Sequence, residues 1–400
     1  MRFAVLCDQP LASPLIDGLR AGVDGHRLSQ IVTGGSASPG IPDRRDDAVG
    51  GSWEDLLIAK DVDAVLVDGG GQHVLDGVKQ LAATKTPLLF VPRADQGSTL
   101  AYELSLIHDD NKVFLFPLFW HRYDAAVIAL RAAIQSGKLG RIQFLQLQQA
   151  IHQPSEGMPI AQTDIDTGLL DDVDLARWLV GDYNQITALR TGASGTGALM
   201  QSVVLSGRSL PEFNWSIHSV TGPAEWKLIV SGEHQVARLE RVGLSHQWRC
   251  EIDNQLIEGN EQTTARNAIA AFVDSATQVQ KSTGHVLPGA DSWGDLVKCF
   301  ETIDATHRSV ARRRTIELHF EPMSERAIFK TQMTAVGCGL LIATFLLTLC
   351  YLGIASLVPL PSPVLVGLRM VVFTPLVLFL IAQILLPLTR PSSAERPSSG

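Results

Sequence analysis

The sequence feature that most constrains this chain is a long apolar stretch near its carboxyl end. Between Lys330 and Arg369, 38 consecutive residues contain no Asp, Glu, Lys, Arg or His. Residues 331–358 alone would form a helix of about 42 Å at ~1.5 Å per residue, which exceeds the roughly 30 Å hydrocarbon core of a bilayer. A proline-rich turn and a second apolar segment at 364–388 follow. We therefore predict a transmembrane helical hairpin over 331–388; the alternative is one span with a buried or interfacial helix.

Basic residues on both sides of this hairpin predict its orientation. Arg326 and Lys330 precede it, and Arg390 and Arg396 follow it within the polar tail at 389–400. Lys and Arg next to membrane spans favour the cytoplasmic side. The apolar run at the amino end is too short for the core of a signal peptide. The expectation is a multi-pass membrane protein with two spans and a large cytoplasmic amino-terminal part.

The remainder of the chain is acidic. The net charge is −8 for all 400 residues, and residues 321–400 carry +2, which leaves −10 on residues 1–320. Phosphate contacts need clustered Lys and Arg, so this balance argues against a nucleic-acid partner. The five cysteines are far apart, and the eleven histidines form no HxH or HExxH pattern. The sequence therefore predicts neither a disulfide framework nor a metal site.

Two kinds of periodicity divide the acidic part. Over residues 1–120, short Val/Leu/Ile runs alternate with amphipathic helical stretches, which is typical of a parallel sheet covered on both faces. Over residues 121–320, consecutive strands with short turns indicate a mostly antiparallel open sheet, and two late helices follow at Ala265–Lys281 and Ser292–Ser309. The predicted fold class is α/β, with a Rossmann-like doubly wound sheet, an α+β domain and two transmembrane helices.

Local phrases in a fixed order add a family resemblance. They are Asp61–Val67 before a loop with His73; Phe119–Arg122 followed by Ser136–Ile142; Asp174–Gly181; and Arg312–Leu318 after the late helices. With these phrases, residues 1–320 resemble the Gfo/Idh/MocA oxidoreductases, such as glucose–fructose oxidoreductase and inositol dehydrogenase. The resemblance implies NAD or NADP on the first domain, a sugar or polyol oxidised over the second sheet, and a homo-oligomer.

The dinucleotide-binding part departs from the family pattern. The glycine-rich loop expected after the first strand reads Cys7-Asp8-Gln9-Pro10-Leu11-Ala12, with no glycine, a carboxylate and a residue that lacks an N–H. The loop Gly69-Gly70-Gly71-Gln72-His73 keeps the family histidine, and its glycines either admit a ligand or simply form a turn. The candidate cofactor-binding residues are Asp8, Gly69, Gly70, His73 and Arg122, the last of which alternatively forms an ion pair with Asp124 or another acid.

The catalytic part departs as well. The family lysine is replaced by Arg93, which can orient a substrate but cannot share a proton near neutral pH. The family histidine is replaced by Asp171, three residues before Asp174, and an ordinary carboxylate is a poorer base than histidine. Arg93, Asp171 and Asp174 are therefore the candidate catalytic residues. In the alternative interpretation, Asp171, Asp172 and Asp174 form a cluster at the start of a helix predicted over Leu169–Leu179 and complement its dipole.

These departures lead to two functional hypotheses. The first is a membrane-anchored protein of the oxidoreductase fold that has lost activity and acts as a binding or scaffolding module, with a small sugar-like ligand and no cofactor. The alternative is a divergent NAD(P)-dependent oxidoreductase that acts on a sugar or polyol. A transporter is disfavoured because two spans with a single terminal arginine provide no polar pathway.

Overall fold

A computed structural model describes residues 1–8, 14–33, 48–49, 52–192, 197–241, 247–281, 293–319 and 344–348. The chain separates into two compact units, Met1–Phe320 and Glu321–Gly400. All strands and long helices described below belong to the first unit. The proposed boundary near residue 120 between two domains within that unit stays a prediction.

The first sheet has six parallel strands in the order β3-β2-β1-β4-β5-β6. Its central strands are apolar almost throughout and are buried, because helices cover both faces of the sheet. This confirms the Rossmann-like parallel sheet expected from the sequence. The strands are β1 (Arg2–Cys7), β2 (Arg27–Thr33), β3 (Ala48–Val49), β4 (Ala64–Asp68), β5 (Leu88–Phe90) and β6 (Leu115–Pro117).

Helices from both parts of the chain cover this sheet. One face is covered through a cluster that joins Phe3 and Phe116 of the sheet to Phe272 of the late helix α7. On the other side, Trp293 of α8 donates its Nε1 hydrogen to the Ala101 carbonyl of α4, at 2.9 Å. The helices are α1 (Pro14–Ala21), α2 (Trp53–Ile58), α3 (Gln72–Ala83), α4 (Gly97–Asn111), α5 (Ala125–Gln135), α6 (Gln162–Val180), α7 (Glu261–Lys281) and α8 (Trp293–Arg312).

The second sheet has nine strands in the order β16-β15-β14-β13-β7-β12-β11-β9-β17. The β7–β12 pair is parallel and the other pairs are antiparallel. The sheet is therefore mostly antiparallel, as the short turns indicate. Its strands are β7 (Ile142–His152), β9 (Gln185–Thr191), β11 (Met200–Ser206), β12 (Glu212–Val220), β13 (Glu225–Gly232), β14 (Val236–Arg241), β15 (Trp248–Ile252), β16 (Gln255–Glu258) and β17 (Ile316–Glu317); β8 (Ile160–Ala161) and β10 (Gly197–Ala198) form a separate pair.

Helix α6 is longer than the sequence pattern predicts. It begins at Gln162 rather than at Leu169, so Asp171 lies more than two turns inside the helix. The interpretation of Asp171, Asp172 and Asp174 as a cluster at the helix start is therefore wrong. The acids face different neighbours around the helix, and those neighbours decide what each acid does.

The predicted membrane hairpin at 331–388 and the polar tail at 389–400 lie outside the described residues, except for a helical piece at 344–348. Within the described part of the chain, no helix combines the length and the apolar character needed to cross a membrane. The hairpin stays a prediction from the sequence.

Candidate functional site

A cavity of about 480 Å³ lies in the first unit, between the carboxyl ends of the parallel strands and the second sheet. Ligands of doubly wound proteins bind outside these strand ends. Residues from β4 and from the loops after β5 and β6 form one wall, and α6 with strands β7, β13, β14 and β15 forms the other. The lining consists of Pro14, Leu15, Asp68, Val91, Pro92, Leu118, Trp120, His121, Gln149, Asp164, Thr167, Gly168, Asp171, Asp172, Leu175, Trp226, Arg241 and Trp248.

Asp171 is the candidate catalytic residue that the structure places in this cavity. Its side chain is accessible from the cavity, and it makes no hydrogen bond or ion pair with any other described residue. The surrounding walls partly desolvate the carboxylate, and this raises the pKa of Asp171 to about 6, against the opposing influence of His121. The carboxylate therefore faces the cavity near the midpoint of its titration at mildly acidic pH.

Asp172, the next residue, is held by three neutral donors. Trp215 and Trp226 donate their Nε1 hydrogens to its carboxylate at 2.6 and 2.9 Å, and Gln149 donates from Nε2. Burial raises the pKa of Asp172, and the three hydrogen bonds act in the opposite direction. The carboxylate thus fixes the indole ring of Trp226 against the cavity.

Asp174, a candidate catalytic residue, does not line the cavity. Its fully buried carboxylate accepts two hydrogen bonds from Arg122, at 2.8 Å from Nε and 2.6 Å from Nη2, and one from His121 Nε2 at 2.9 Å. Burial alone would raise the pKa of Asp174, but the Arg122 charge and the His121 hydrogen bond outweigh it and hold the pKa at about 2. Asp174 is therefore an ionised anchor beneath the cavity.

Arg122, a candidate cofactor-binding residue, belongs to the same buried network. Besides Asp174, it contacts Asp295 of α8 at 3.2 Å. Asp124, the acid named as one possible ion-pair partner, instead caps α5 by accepting the Ala126 N–H at 2.9 Å. The structure thus places Arg122 in a link between α6 and α8 rather than in the cavity wall.

His121 is one of the cavity residues that the sequence analysis does not single out. It lies in the short 3-10 turn Trp120–Tyr123, and only 4% of its surface is exposed. Its Nε2 contacts Asp174, whereas its Nδ1 makes no hydrogen bond among the described residues. The available signal was its position inside the Phe119–Arg122 phrase, directly before the arginine.

Two donors on the opposite wall also lack partners. The buried Nε of Arg241 and the buried Nε1 of Trp248 have no hydrogen-bond acceptor among the described residues. Arg241 lies 5.8 Å from the Trp248 ring centre and forms no ion pair within the described part of the chain. Because an unsatisfied buried N–H is costly, both groups favour an oxygen-bearing ligand in the cavity.

The glycine turn after β4 holds carboxylates of the chain itself. Asp8 accepts the backbone hydrogens of Gly70 at 2.8 Å and of Gly71 at 3.0 Å, at the amino end of α3. A side chain at Gly70 would overlap the Asp95 carboxylate, and a Cβ at Gly69 would lie 2.8 Å from the Asp8 carboxyl carbon. The glycines are therefore needed for close approach of two acids.

Arg93 is committed to the same turn. Its Nε and Nη2 donate to Asp95 at 3.1 and 3.0 Å, and its Nη1 lies 3.7 Å from Asp68. Burial raises the pKa of Asp68, and the Arg93 charge partly opposes this increase. Arg93 is not among the described residues that line the cavity, although Asp68 is.

His73 lies in the first turn of α3 and also outside the cavity lining. Its Nε2 is buried and has no hydrogen-bond partner among the described residues. The structure therefore brings Asp171 and His121 together at the cavity, and Asp8, Gly69, Gly70 and Arg93 together at the turn. No group of three or more His, Cys, Asp or Glu side chains in the described ranges is arranged to hold a metal ion.

Comparison with solved structures defines the fold. About four-fifths of the chain has the fold of Gfo/Idh/MocA-type oxidoreductases, which confirms the resemblance. A myo-inositol dehydrogenase from Corynebacterium glutamicum is 15% identical, with a TM-score of 0.61, over 80% of this chain and 99% of that one. No protein-family model matches the chain, and no curated protein matches it in sequence.

Two further solved structures show the same similarity. An oxidoreductase from Agrobacterium radiobacter, in complex with NAD⁺, L-tartaric acid and magnesium, is 16% identical with a TM-score of 0.59, over 79% of this chain and 98% of that one. A scyllo-inositol dehydrogenase from Lactobacillus casei is 12% identical with a TM-score of 0.57, over 79% and 97%. At these identities the similarity establishes the fold.

Proposed function

We propose that the chain is an NAD(P)-dependent oxidoreductase that acts on a hydroxyl group of a sugar or polyol. The observation that carries this proposal is the cavity at the strand ends, where unpartnered donors and an unpartnered acid line the same wall. Arg241 and Trp248 offer N–H groups, and Asp171 offers a carboxylate. A hydroxyl both donates and accepts hydrogen bonds, so a polyhydroxylated compound satisfies both the donors and the acid.

Aromatic rings in the cavity support the same ligand class. Trp226 and Trp248 meet edge to face with ring centres 4.6 Å apart, and both line the cavity. Flat apolar rings beside hydrogen-bonding groups suit a compact ligand that has C–H faces and hydroxyl edges. The volume of about 480 Å³ falls in the range of small-molecule sites.

The described residues fit the nicotinamide end of the cofactor but not its phosphates. The apolar side chains Leu15, Val91, Pro92 and Leu118 form a wall at the strand ends against which a nicotinamide ring can pack. The Gly69–Gly71 turn does not fit the cofactor's phosphates, because Asp8 occupies its N–H groups and Asp95 pairs with Arg93. When bound, the cofactor would accept a hydride from the carbinol carbon.

A binding experiment with matched variants tests this proposal. The full chain is titrated with NADH and with NADPH by fluorescence, and saturable binding of either is expected. Thr167 and Thr163 are both exposed, one turn apart on α6, and only Thr167 lines the cavity. Thr167→Trp should therefore weaken binding of myo-inositol, used as the polyol probe, at least tenfold, and Thr163→Trp should leave it unchanged. Absence of dinucleotide binding would reject the oxidoreductase.

A specific observation favours the second candidate, a ligand-binding module without a cofactor. Arg93 is paired with Asp95, and Asp8 accepts from the Gly70 and Gly71 amides, so the described residues of the turn offer no unpaired cation for a phosphate. This candidate predicts myo-inositol binding that depends on Thr167 but no binding of NADH or NADPH. The same titration separates the two functions.

The membrane hairpin at 331–388 is proposed as a tether for either function. Its support is the uncharged stretch of 38 residues in the sequence. Alkaline carbonate extraction of membranes tests it: the full chain should stay in the pellet, and a variant that ends at residue 320 should be released. Equal release of both would exclude the tether.

A homo-oligomer is proposed only by resemblance, and light scattering of the purified chain measures it.

A further inference from the structure

We infer that His121 accepts the hydroxyl proton of the substrate, with Asp174 as its positioning residue, in place of the acid at the family's histidine position. The inference rests on the proposed function and adds a residue from another element of the fold. It moves the proton acceptor from helix α6 to the turn Trp120–Tyr123, which follows the last strand of the first sheet.

The contacts of Asp174 determine which His121 nitrogen is the base. Asp174 is ionised and accepts a hydrogen bond at 2.9 Å from the ring. A carboxylate can only accept, so the ring hydrogen lies on Nε2. In the neutral ring, Nδ1 then carries the lone pair. Nδ1 has no other partner among the described residues, and the ring lines the cavity.

The surrounding network prevents the imidazole from turning over. Asp174 is fixed by both arms of Arg122, and Arg122 is fixed in turn by Asp295 of α8. Phe119 lies beside the imidazole, with ring centres 6.1 Å apart. A base held by an oriented carboxylate is the usual arrangement of a histidine that takes up a proton during catalysis.

Asp171 is better suited to stabilise the protonated imidazole of His121 than to replace His121 as the base. It lines the same cavity and interacts electrostatically with His121 without a hydrogen bond. When His121 takes the proton, the new positive charge lies between two carboxylates, Asp171 and Asp174. Asp171 can also accept a second hydroxyl of the same ligand, which aligns the reacting one.

The proton and electron balance of the step is complete. The substrate O–H bond breaks and its proton goes to His121 Nδ1, while the oxygen electron pair forms the carbonyl bond. With the dinucleotide of the proposed function bound as oxidant, the C–H bond would break and its electron pair would leave as hydride to the oxidised nicotinamide. The products would be a ketone or aldehyde, the reduced dinucleotide and a protonated His121, which returns its proton to solvent.

The tautomer of His121 tests the inference without any turnover. The full chain with ¹⁵N-labelled histidine is examined by NMR at pH 7.5, with His121→Gln to assign the signals. A hydrogen on Nε2 is expected, and myo-inositol should shift the Nδ1 signal in Thr163→Trp but not in Thr167→Trp. Two results would overturn the inference. One is a ring hydrogen on Nδ1. The other is an Nδ1 chemical shift that does not change when myo-inositol binds to the wild type.

Kinetics separate His121 from Asp171. With myo-inositol and NAD⁺, His121→Gln should lower kcat/KM by about 10²–10⁴-fold, and added imidazole should partly restore activity to His121→Gly. Asp171→Asn should mainly raise KM. The inference is wrong if His121→Gln keeps its activity while Asp171→Asn abolishes kcat. If the wild type reduces neither NAD⁺ nor NADP⁺, the proposed function fails, and the tautomer measurement still decides the chemical state of His121.

Discussion

The glycine turn after β4 and the α6 side of the cavity lie at the same edge of the first sheet, but they differ in how their charged side chains are paired. At the turn, Asp8 is bonded to the Gly70 and Gly71 amides and Arg93 is bonded to Asp95. At the α6 side, Asp171 and Arg241 have no hydrogen-bonding partner among the described residues. A buried N–H such as the Arg241 Nε is kept unpartnered at a cost in stability, and this supports the α6 side as the proposed ligand site.

The difference also explains why the two functional hypotheses are hard to separate from sequence. The turn has the composition of a phosphate site and contacts that fill it internally. The α6 side carries Asp171 at the position where the resemblance implies a histidine, and a histidine from another element, His121, lines the same cavity. The glycine turn therefore follows the simpler of its two interpretations, and Asp171 alone of the candidate catalytic residues lines the cavity.

The largest expected effect comes from the anchor beneath the cavity. Asp174→Asn leaves the buried Arg122 with a weakened partner, and breaking a buried ion pair in this way costs about 3–5 kcal/mol. Urea denaturation at pH 7.5 measures this loss. Asp164→Asn, the same change at an exposed position of α6, should lie within about 0.5 kcal/mol of the wild type. Equal losses would mean that Asp174 is not the anchor.

The glycine turn should tolerate no side chain at Gly70. Gly70→Ala forces a Cβ into the Asp95 carboxylate, and such overpacking typically costs about 1–3 kcal/mol. Gly222→Ala is the control, since no atom lies within 4 Å of the added Cβ. Thermal unfolding compares the two variants. A Gly70→Ala variant as stable as Gly222→Ala would show that the acids do not fill the turn.

Removal of Asp8 should free the backbone amides of the glycine turn. Asp8→Ala frees the Gly70 and Gly71 amides at the start of α3, so we expect a stability loss of about 0.5–2 kcal/mol, as for other lost helix caps. The freed amides and the removed negative charge should tighten NADH binding measured by fluorescence titration. Asp110→Ala, at an exposed position of α4, should change neither quantity. Weaker NADH binding by Asp8→Ala would contradict the contrast between the regions.

The smallest effect concerns the unpartnered acid itself. Since the pKa of Asp171 is raised from 3.8 to about 6, the folded state binds its proton more tightly, and ionisation lowers stability as pH rises from about 4 to 6. Asp171→Asn should therefore be more stable than the wild type above pH 6, by less than about 1 kcal/mol because water reaches the cavity. The difference should vanish below pH 4. Thermal melts at pH 4 and 7.5 check the sign.

Much of the architecture could be predicted from sequence because it depends on local periodicity. The buried strands β1 and β4 are continuous apolar runs, and β12 and β13 alternate buried and partly exposed residues, so each predicts its own sheet type. The sequence pattern places the start of α6 seven residues too late, at Leu169 instead of Gln162. Its first turns contain Gln162, Asp164 and Asp166, which weaken the apolar pattern, while packing on the rest of the unit extends the helix to Gln162.

Side-chain period and apolar content are local properties of the chain, and they suffice to predict that residues 1–320 form a parallel sheet followed by a mostly antiparallel one. Which acids are buried anchors and which line the cavity depends on contacts that form only in the folded chain. Asp174 meets His121 across 53 positions, and Asp8 meets Gly70 across 62. The charge and pKa of a carboxylate depend on the donors and water around it, and the fold brings those neighbours from distant parts of the chain.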